Sequence, residues 1–336
     1  MYNLEEARIV EEIQKLAAKR VLLQLPEGLK AEASRLVNLL QEKTDASIFV
    51  SGQACWGACD LPIDEARALD ANLIVHFGHA PFHKPDFPIL YIETRYECDI
   101  TPFIQKNLET FKQFKKVALV ASVQHLHQIP VLQKLLEKEG LVVVIPKGLG
   151  RSFYAGQILG CEASGPKLIE KDVDAFLSIA NQFHTLAVTL STEKPVLLLD
   201  PVHEQVKDLQ PLKEQIIKKR FAVIEKAKQA NSFGILVSLK SGQLNTVVAE
   251  NLKKKLVAKG KDVIIITMKE FQPDELLNFG NIEVFVVTAC PRVAIEDQPR
   301  YGKPVLTLKE LFVVLGEVSW EDNLKNGFIT APYGAK

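Results

Sequence analysis

The stretch that decides the fold reads Lys116-Val117-Ala118-Leu119-Val120-Ala121, a run of strand length that is apolar after its first residue. A helical pattern follows at 129–138, and a second apolar run follows at 141–145. Continuous apolar runs that alternate with helices are typical of parallel strands covered on both faces. The stretch therefore predicts an α/β unit.

The same order of strand, helix and strand recurs on both sides of this unit. Apolar runs lie at 20–25, 46–50, 72–77 and 89–92 before it, and at 234–238, 262–266, 282–287 and 304–306 after it. We interpret the chain as three small α/β domains related by duplication, at 1–107, 108–206 and 207–336. The predicted fold class is α/β, with three pseudo-repeated domains of parallel sheet.

A Lys-rich segment at 204–231 is predicted to be helical and to bridge the second and third domains. Its run Lys218-Lys219-Arg220 is most simply a solvated helix face.

Composition limits the classes of partner. Hydrophobic residues make up 47% of the 336 positions and charged residues 24%, which is ordinary for a globular protein, and the formal net charge is zero. This balance gives no general attraction to nucleic acid or to an anionic membrane. The first residues are acidic where a signal peptide needs basic ones, and the longest apolar runs have the length of strands. We expect a cytoplasmic protein that binds neither nucleic acid nor membrane.

Three cysteines share a similar setting, one in each predicted domain. They lie in the loops Gly57-Ala58-Cys59-Asp60, Leu159-Gly160-Cys161-Glu162 and Ala289-Cys290-Pro291-Arg292. Each loop follows a predicted strand, where open α/β sheets place their ligands. One thiolate from each domain, directed at a shared centre, can hold an iron–sulfur cluster with three irons ligated and one open. Taken alone, each cysteine is more often a small buried hydrophobe.

The other two cysteines, Cys55 and Cys98, have no counterpart in the other repeats. Cys55 forms a C-x3-C pair with Cys59, so zinc or a different cluster arrangement remains possible if Cys55 is a ligand. Zinc is the weaker candidate because local C-x-x-C pairs are absent from the sequence. We interpret Cys55 as a neighbour of the site and Cys98 as structural.

Several motifs together resemble those of a known family. They are Gly57-Ala58-Cys59-Asp60, Gly156-Gln157-Ile158-Leu159-Gly160-Cys161, Lys240-Ser241-Gly242-Gln243 and Ala289-Cys290-Pro291-Arg292, with further matches at Leu25-Pro26-Glu27-Gly28 and His76-Phe77-Gly78-His79. They are similar to motifs of the archaeal diphthamide-biosynthesis enzymes, the 2-(3-amino-3-carboxypropyl)histidine synthases. The resemblance runs through nearly the whole chain, and it departs from the family at Cys55-Trp56, where a non-cysteine is expected.

The resemblance implies an atypical radical enzyme that uses S-adenosylmethionine (SAM). It implies a homodimer of three-domain subunits arranged around a 4Fe–4S cluster held by Cys59, Cys161 and Cys290. An unidentified electron donor reduces the cluster, which cleaves SAM at the γ-carbon. The 3-amino-3-carboxypropyl group goes to a histidine of translation elongation factor 2, the first step of diphthamide biosynthesis, and methylthioadenosine leaves.

The substrate contacts are predicted at a strand-to-helix turn of the third repeat, at Ser238, Lys240, Ser241, Gly242 and Gln243. Backbone N–H groups at the start of a helix favour anions, so this turn is the first candidate for the SAM carboxylate. No catalytic residue is assigned. Asp60 and Glu162 would lower the cluster potential if they lie close to it, although surface carboxylates or helix caps are the plainer interpretation.

Two other functions fit the same features. A quinolinate-synthase-like enzyme would use three α/β domains and a three-cysteine cluster without SAM. A partner subunit would hold a cluster only to relay electrons, or would hold none.

Overall fold

The computed structural model describes residues 1–329, and its strands form three sheets. The chain divides into two compact units. The first comprises Met1–Asp99, Val123–His127 and Lys240–Gly242, and the second comprises Ile100–Ser122, Gln128–Leu239 and the chain from Gln243 on. The first unit holds one sheet and the second holds two.

The first unit is a four-stranded parallel sheet covered by helices. Its elements are α1 (Glu6–Lys15), β1 (Arg20–Gln24), α2 (Ala33–Lys43), β2 (Ser47–Val50), α3 (Ile63–Ala68), β3 (Leu73–Phe77) and β4 (Ile89–Ile92), with strand order β2-β1-β3-β4. Successive strand residues point to opposite faces. Leu23 accordingly packs with α1 and α2, whereas Leu22 packs with Ala66 of α3. Both faces of the central strands β1 and β3 are buried, so these two strands are mainly apolar.

The second unit begins with a five-stranded sheet. Its elements are α4 (Thr101–Lys106), α5 (Leu108–Phe111), β5 (Lys116–Ala121), α6 (Ile129–Lys138), β6 (Val142–Val144), α7 (Ser164–Ile169), β7 (Ala175–Ile179), α8 (Gln182–Ser191), β8 (Val196–Asp200) and β9 (Gln205–Asp208). The strand order is β6-β5-β7-β8-β9, and the first four strands are parallel.

The third sheet also lies in the second unit. Its elements are α9 (Gln210–Lys228), β10 (Ser232–Ser238), α10 (Thr246–Ala258), β11 (Asp262–Met268), α11 (Pro273–Leu277), β12 (Val284–Val287), α12 (Arg292–Ile295), β13 (Val305–Thr307), α13 (Leu308–Val314) and α14 (Trp320–Lys325). All four strands are parallel, in the order β11-β10-β12-β13.

The three sheets repeat one arrangement. If the strands of each sheet are numbered in chain order, the first four always lie side by side in the order 2-1-3-4. The second strand is therefore at one edge of each sheet. This shared order confirms the predicted α/β class and its pseudo-repeat. The predicted domain boundaries stay predictions.

One predicted helical stretch is wrong at its start. The sequence predicted a helix from Glu204, but β9 occupies Gln205–Asp208 and pairs antiparallel with β8. Asp200 makes the turn between them, because its Oδ1 accepts the N–H groups of Val202 and His203. An edge strand with one solvated side tolerates the polar sequence of β9, which the helix prediction did not allow for.

The solvated-face interpretation of the basic run on α9 is also wrong at Arg220. Lys218 and Lys219 are exposed, but Arg220 is 1% exposed. Its guanidinium donates to both carboxylate oxygens of Glu310, at 2.7 and 2.6 Å, and to the carbonyl oxygens of Ala294 and Val305. The buried charge is therefore both paired and hydrogen-bonded, which is the condition for burying arginine.

Among residues 1–329, the helices are too short or too polar for any of them to span a membrane.

Candidate functional site

The first cysteine loop, residues 51–62, connects β2 to α3. Asp60 N–H donates to the Gly57 carbonyl at 2.9 Å, which closes a turn around Cys59. Gln24, the last residue of β1, donates from Nε2 to the Asp60 carbonyl at 2.7 Å and ties this turn to the end of the sheet. The Cys59 side chain is half-buried at the carboxyl ends of the strands.

A segment from far along the chain, Lys240–Gly242, packs against this loop. Gly242 N–H donates to the Cys59 carbonyl at 3.0 Å. A Cβ at position 242 would lie only 2.7 Å from Cys59 Cα, so the approach requires a glycine. Lys240 Nζ lies 3.0 Å from an Asp60 carboxylate oxygen and 5.7 Å from the centre of the Trp56 ring. Two of the predicted motifs therefore meet in the first unit.

The start of α10 and the Gly242 contact both weaken the argument that the predicted substrate turn binds a carboxylate through helix N–H groups. Helix α10 begins at Thr246, where Asn245 Oδ1 accepts the Val248 N–H at 3.1 Å. Residues 238–243 therefore precede the helix instead of starting it, and the Gly242 N–H already donates to Cys59. The helix-start argument for carboxylate binding does not apply to this turn. Its Lys240 and Gly242 contact the first cysteine loop, and its Leu239 N–H donates to the Met268 carbonyl.

Burial corrects the plainer interpretation of the two acidic neighbours as surface groups. Asp60 is 5% exposed and Glu162 is 1% exposed. Asp60 pairs with Lys240, which offsets its negative charge. Glu162 Oε1 accepts the Ser164 N–H at the first residue of α7, at 2.7 Å, although the N-cap residue of this helix is Ala163.

The second cysteine lies at the tip of a tight turn. Residues 156–158 run beside the end of β5, where Ala121 N–H donates to the Gly156 carbonyl and its carbonyl accepts from the Ile158 N–H. Leu159 and Glu162 then pair antiparallel and leave Gly160 and Cys161 as the two turn residues. This geometry presents the half-buried Cys161 side chain beyond the carboxyl end of the sheet.

The Phe183 ring lies between the second and third cysteine loops. A Cβ at Gly160 would lie 1.7 Å from the ring carbon Cζ of Phe183, so only glycine fits against the ring. The Arg292 guanidinium carbon lies 3.3 Å from the centre of the same ring, a cation–π contact. Arg292 is two residues beyond Cys290. One aromatic side chain of α8 thus packs against the neighbours of both cysteines.

Cys290 lies three residues beyond β12 and two residues before the start of α12. Thr288 fixes the end of the strand, because its N–H and its hydroxyl both donate to the Leu236 carbonyl, at 3.1 and 3.0 Å. Pro291 is the N-cap residue of α12, and its fixed φ suits that position. The Cys290 side chain is half-buried.

A pocket in the second unit joins the surroundings of these two cysteines. Cys161 lines it together with Ala289 and Pro291, the two neighbours of Cys290. Two basic side chains, Arg151 and Lys309, also line it; the remaining lining residues are Val287, Thr307, Leu308, Phe328 and Ile329. A pocket with an apolar wall, a thiol and two basic groups suits a small ligand that carries an anionic end.

Two ionisable groups near this pocket are unusual. Burial lowers the pKa of Lys309 to about 8, and the Glu162 carboxylate opposes that shift. Lys309 Nζ donates to the Gly327 carbonyl at 2.7 Å. Within the described chain, the buried Oε2 of Glu162 accepts no hydrogen bond. Neither Lys309 nor Arg151 was singled out from the sequence, because neither belongs to a recognisable motif.

Cys55 is buried, and the other four cysteines are half-buried. The predicted Cys59 loop contacts Lys240 and Gly242. Cys161 and the two neighbours of Cys290 line one pocket. Phe183 was also not predicted from the sequence. The only signal for it was Gly160 in the Cys161 motif, whose lack of a side chain makes room for the Phe183 ring. The fold and these loops define a class: an α/β protein with three sheets and a thiol loop at the carboxyl end of each.

Comparison with known proteins identifies the family. A family model described as "Putative diphthamide synthesis protein" matches residues 25–325. The 2-(3-amino-3-carboxypropyl)histidine synthase of Pyrococcus horikoshii is 33% identical over 94% of this chain and 91% of its own length. Subunit 1 of the human synthase is 30% identical over 95% of this chain and 73% of its own. The chain belongs to the diphthamide synthesis family.

A solved structure agrees with this assignment. The crystal structure of Dph2 from Pyrococcus horikoshii with a 4Fe-4S cluster superposes with a TM-score of 0.89, at 32% identity, over 99% of this chain and 96% of that one. The resemblance found in the sequence motifs is thereby confirmed, as is the expectation of an enzyme of the 2-(3-amino-3-carboxypropyl)histidine synthase kind.

Proposed function

We propose that this chain transfers a 3-amino-3-carboxypropyl group from SAM to a histidine of translation elongation factor 2. The observation that carries the proposal is the pocket of the second unit, where Cys161 lies in one wall with both neighbours of Cys290. Two sequence-distant thiol loops at one pocket are the arrangement that a shared metal centre requires. Membership of the diphthamide synthesis family supplies the reaction class.

We propose Cys59, Cys161 and Cys290 as the ligands of a 4Fe–4S cluster. The three residues suit it, because each is a half-buried thiol on a loop at the carboxyl end of a sheet. The cluster named in the Pyrococcus horikoshii structure supports the same cofactor. When bound, it would supply the electron that cleaves the sulfonium of SAM and an open coordination position for the substrate.

The role of the surrounding residues follows from their contacts. Gly242 and Gln24 hold the backbone at Cys59 and Asp60, because they donate hydrogen bonds to the carbonyls of these two residues. Phe183 supports the loops of Cys161 and Cys290 by direct packing. These contacts fix the direction of each thiol before any ligand binds, as a preorganised site requires.

Two places are proposed for the carboxylate of SAM. The first is the predicted turn with Ser238, Lys240, Ser241, Gly242 and Gln243, although the Lys240 charge is already matched by Asp60. The second is the pocket wall with Arg151 and Lys309. The second place offers two basic side chains beside Cys161, and the Glu162 carboxylate lies near enough to Lys309 to interact with it.

The partners follow from the proposed reaction. Elongation factor 2 is the protein substrate, an electron donor must reduce the cluster, and a homodimer is the proposed assembly. The cytoplasmic location stays a prediction. Family membership favours the transferase over a quinolinate-synthase-like enzyme. A partner subunit that only relays electrons differs from the proposal in one measurable respect, since it would not cleave SAM.

The test is an anaerobic purification with iron and sulfide counts, followed by dithionite and SAM. We expect brown protein that releases methylthioadenosine only when reduced and modifies elongation factor 2. Changing Cys59, Cys161 or Cys290 to alanine should lower bound iron and abolish both products, since each removes one ligand. Cys98→Ala is the matched control and should do neither.

Three results would contradict the proposal. Full iron content and activity after loss of Cys59, Cys161 or Cys290 would remove that residue from the ligand set. Brown protein that does not cleave SAM would favour electron relay. Colourless protein after cluster reconstitution would exclude the three-cysteine site.

A further inference from the structure

A second group of metal-ligand side chains lies in the first unit. The ligand atoms of Cys55, His76 and His79 all lie within 4.8 Å of one another. Cys55 precedes the Cys59 turn, His76 lies in β3, and His79 follows the end of that strand. Cys55 and His76 are buried, and His79 is half-buried. Nothing in the proposed transfer reaction uses these three residues.

Hydrogen bonds fix the protonated nitrogen of His76. Gln24 Nε2 donates to the Asp60 carbonyl, so Gln24 Oε1 is an acceptor. His76 Nδ1 lies 2.6 Å from that oxygen and must carry the hydrogen. His76 Nε2 therefore presents a lone pair.

His79 has the same arrangement. Its Nδ1 lies 3.1 Å from the Phe77 carbonyl oxygen, which can only accept, so Nδ1 carries the hydrogen. It also lies 3.1 Å from His76 Nε2, so a metal ion bound to His76 Nε2 would replace that contact. His79 Nε2 is thus unprotonated and carries the second lone pair that a metal ion could bind.

This pattern is that of metal-binding histidines. Such residues almost always donate the N–H on the far side of the ring to a carbonyl or carboxylate oxygen, which orients the ring and fixes its tautomer. Here Gln24 Oε1 and the Phe77 carbonyl are those acceptors. The Cys55 sulfur supplies a third ligand of the type that zinc binds together with imidazole.

We propose that Cys55, His76 and His79 bind one divalent metal ion of the zinc class, at a site separate from the iron–sulfur cluster. Zinc bonded tetrahedrally to nitrogen and sulfur places its ligand atoms about 3.4–3.6 Å apart. The three ligand atoms here lie within 4.8 Å of one another, so small side-chain rotations would bring them to the distances that zinc requires. Nitrogen and thiolate ligands favour zinc over magnesium or calcium, which prefer oxygen. The Cys55 thiol loses its proton on binding, and the fourth position is open to water.

The location gives the ion a structural role. Cys55 lies on the loop that carries Cys59, whereas the histidines belong to β3 and the residues after it. A Cβ at Gly57 would lie 3.5 Å from Cys59 Sγ and 3.9 Å from His79 Nε2, so the two sites are neighbours. A metal ion here would tie the Cys59 loop to the end of β3.

The test uses the full chain after anaerobic cluster assembly. Zinc, iron and sulfide are counted, and cobalt(II) is then added to zinc-free protein as a spectroscopic probe. We expect one zinc per chain in addition to the cluster iron, and a thiolate-to-cobalt charge-transfer band with the intense visible bands of tetrahedral cobalt. Cys55→Ser and His79→Gln should each weaken zinc binding at least tenfold while the cluster iron stays. Cys98→Ser and His203→Gln are the controls, and both should bind zinc like the unchanged chain.

The remaining outcomes overturn the proposal. If Cys55→Ser lowers iron and sulfide instead of zinc, Cys55 is a cluster ligand. If the unchanged chain binds no zinc and shows no cobalt–thiolate band, there is no site. If zinc binding survives both Cys55→Ser and His79→Gln, the ion is held elsewhere. Circular dichroism of the two variants separates lost ligands from lost folding.

Discussion

At the scale of single residues, close backbone approach decides where the first thiol sits. Gly242 lies so near the Cys59 backbone that a side chain at 242 cannot be accommodated without movement. Cys59 belongs to one end of the chain and Gly242 to another motif 183 positions later. The position of a proposed metal ligand therefore depends on a residue that has no side chain to bind the metal.

We expect Gly242→Ala to displace the Cys59 loop and to lower cluster iron severalfold. The added methyl group would lie 2.7 Å from Cys59 Cα and 3.1 Å from its Cβ, which no real Cβ tolerates without a shift. Iron and sulfide counts after reconstitution measure the effect. Gly52→Ala is the matched control in the same loop, because a Cβ there meets nothing within 4 Å. Equal iron in the two variants would contradict the prediction.

At the scale of elements, α9 and α13 are joined through one buried ion pair. Arg220 of α9 and Glu310 of α13 lie 1% and 0% exposed, and their closest atoms are 2.6 Å apart. Glu310 also completes a capping box, since its carboxylate accepts the Thr307 N–H at the start of α13. Breaking such a pair leaves an uncompensated charge in the core, which costs much more than losing a surface pair.

We expect Arg220→Met to lower the free energy of unfolding by about 3–5 kcal/mol, because Glu310 would stay buried without its partner. Chemical denaturation followed by circular dichroism measures this. Lys219→Met, one residue earlier and exposed, should change the free energy by less than about 0.5 kcal/mol. A similar small change in both variants would show that the ion pair is unimportant for stability.

At the scale of the whole molecule, three sheets of one strand order each carry a thiol loop at their carboxyl ends. Cys59 and Cys161 follow the edge strands β2 and β6, whereas Cys290 follows β12. The second unit brings its two thiol loops to one pocket and buries Lys309 beside it. That burial makes the stability of the folded chain depend on pH.

We expect stability of the metal-free chain to rise between pH 8 and pH 10.5 through Lys309. Burial lowers its pKa in the folded chain to about 8 from the ordinary value of 10.5. Within that window the unfolded chain binds more protons than the folded chain, so the free energy of unfolding increases with pH. Lys309→Met should remove this rise, and Lys219→Met should keep it. Denaturation at several pH values compares the three proteins, and equal slopes would contradict the prediction.

The sequence by itself determined the class of fold and the three thiol loops. Apolar strands such as Lys116–Ala121 are buried on both faces, so their pattern is visible locally, and the Gly- and Pro-bearing cysteine motifs mark loops. The edge strand β9 and the start of α10 were not visible, because polar residues fit either a solvated strand or a turn. Only the tertiary structure decided that Arg220 is buried, that Gly242 touches Cys59, and that Cys55 meets two histidines. Each of these depends on contacts between residues far apart in the chain, and the local pattern of one segment does not specify which distant segment it will pack against.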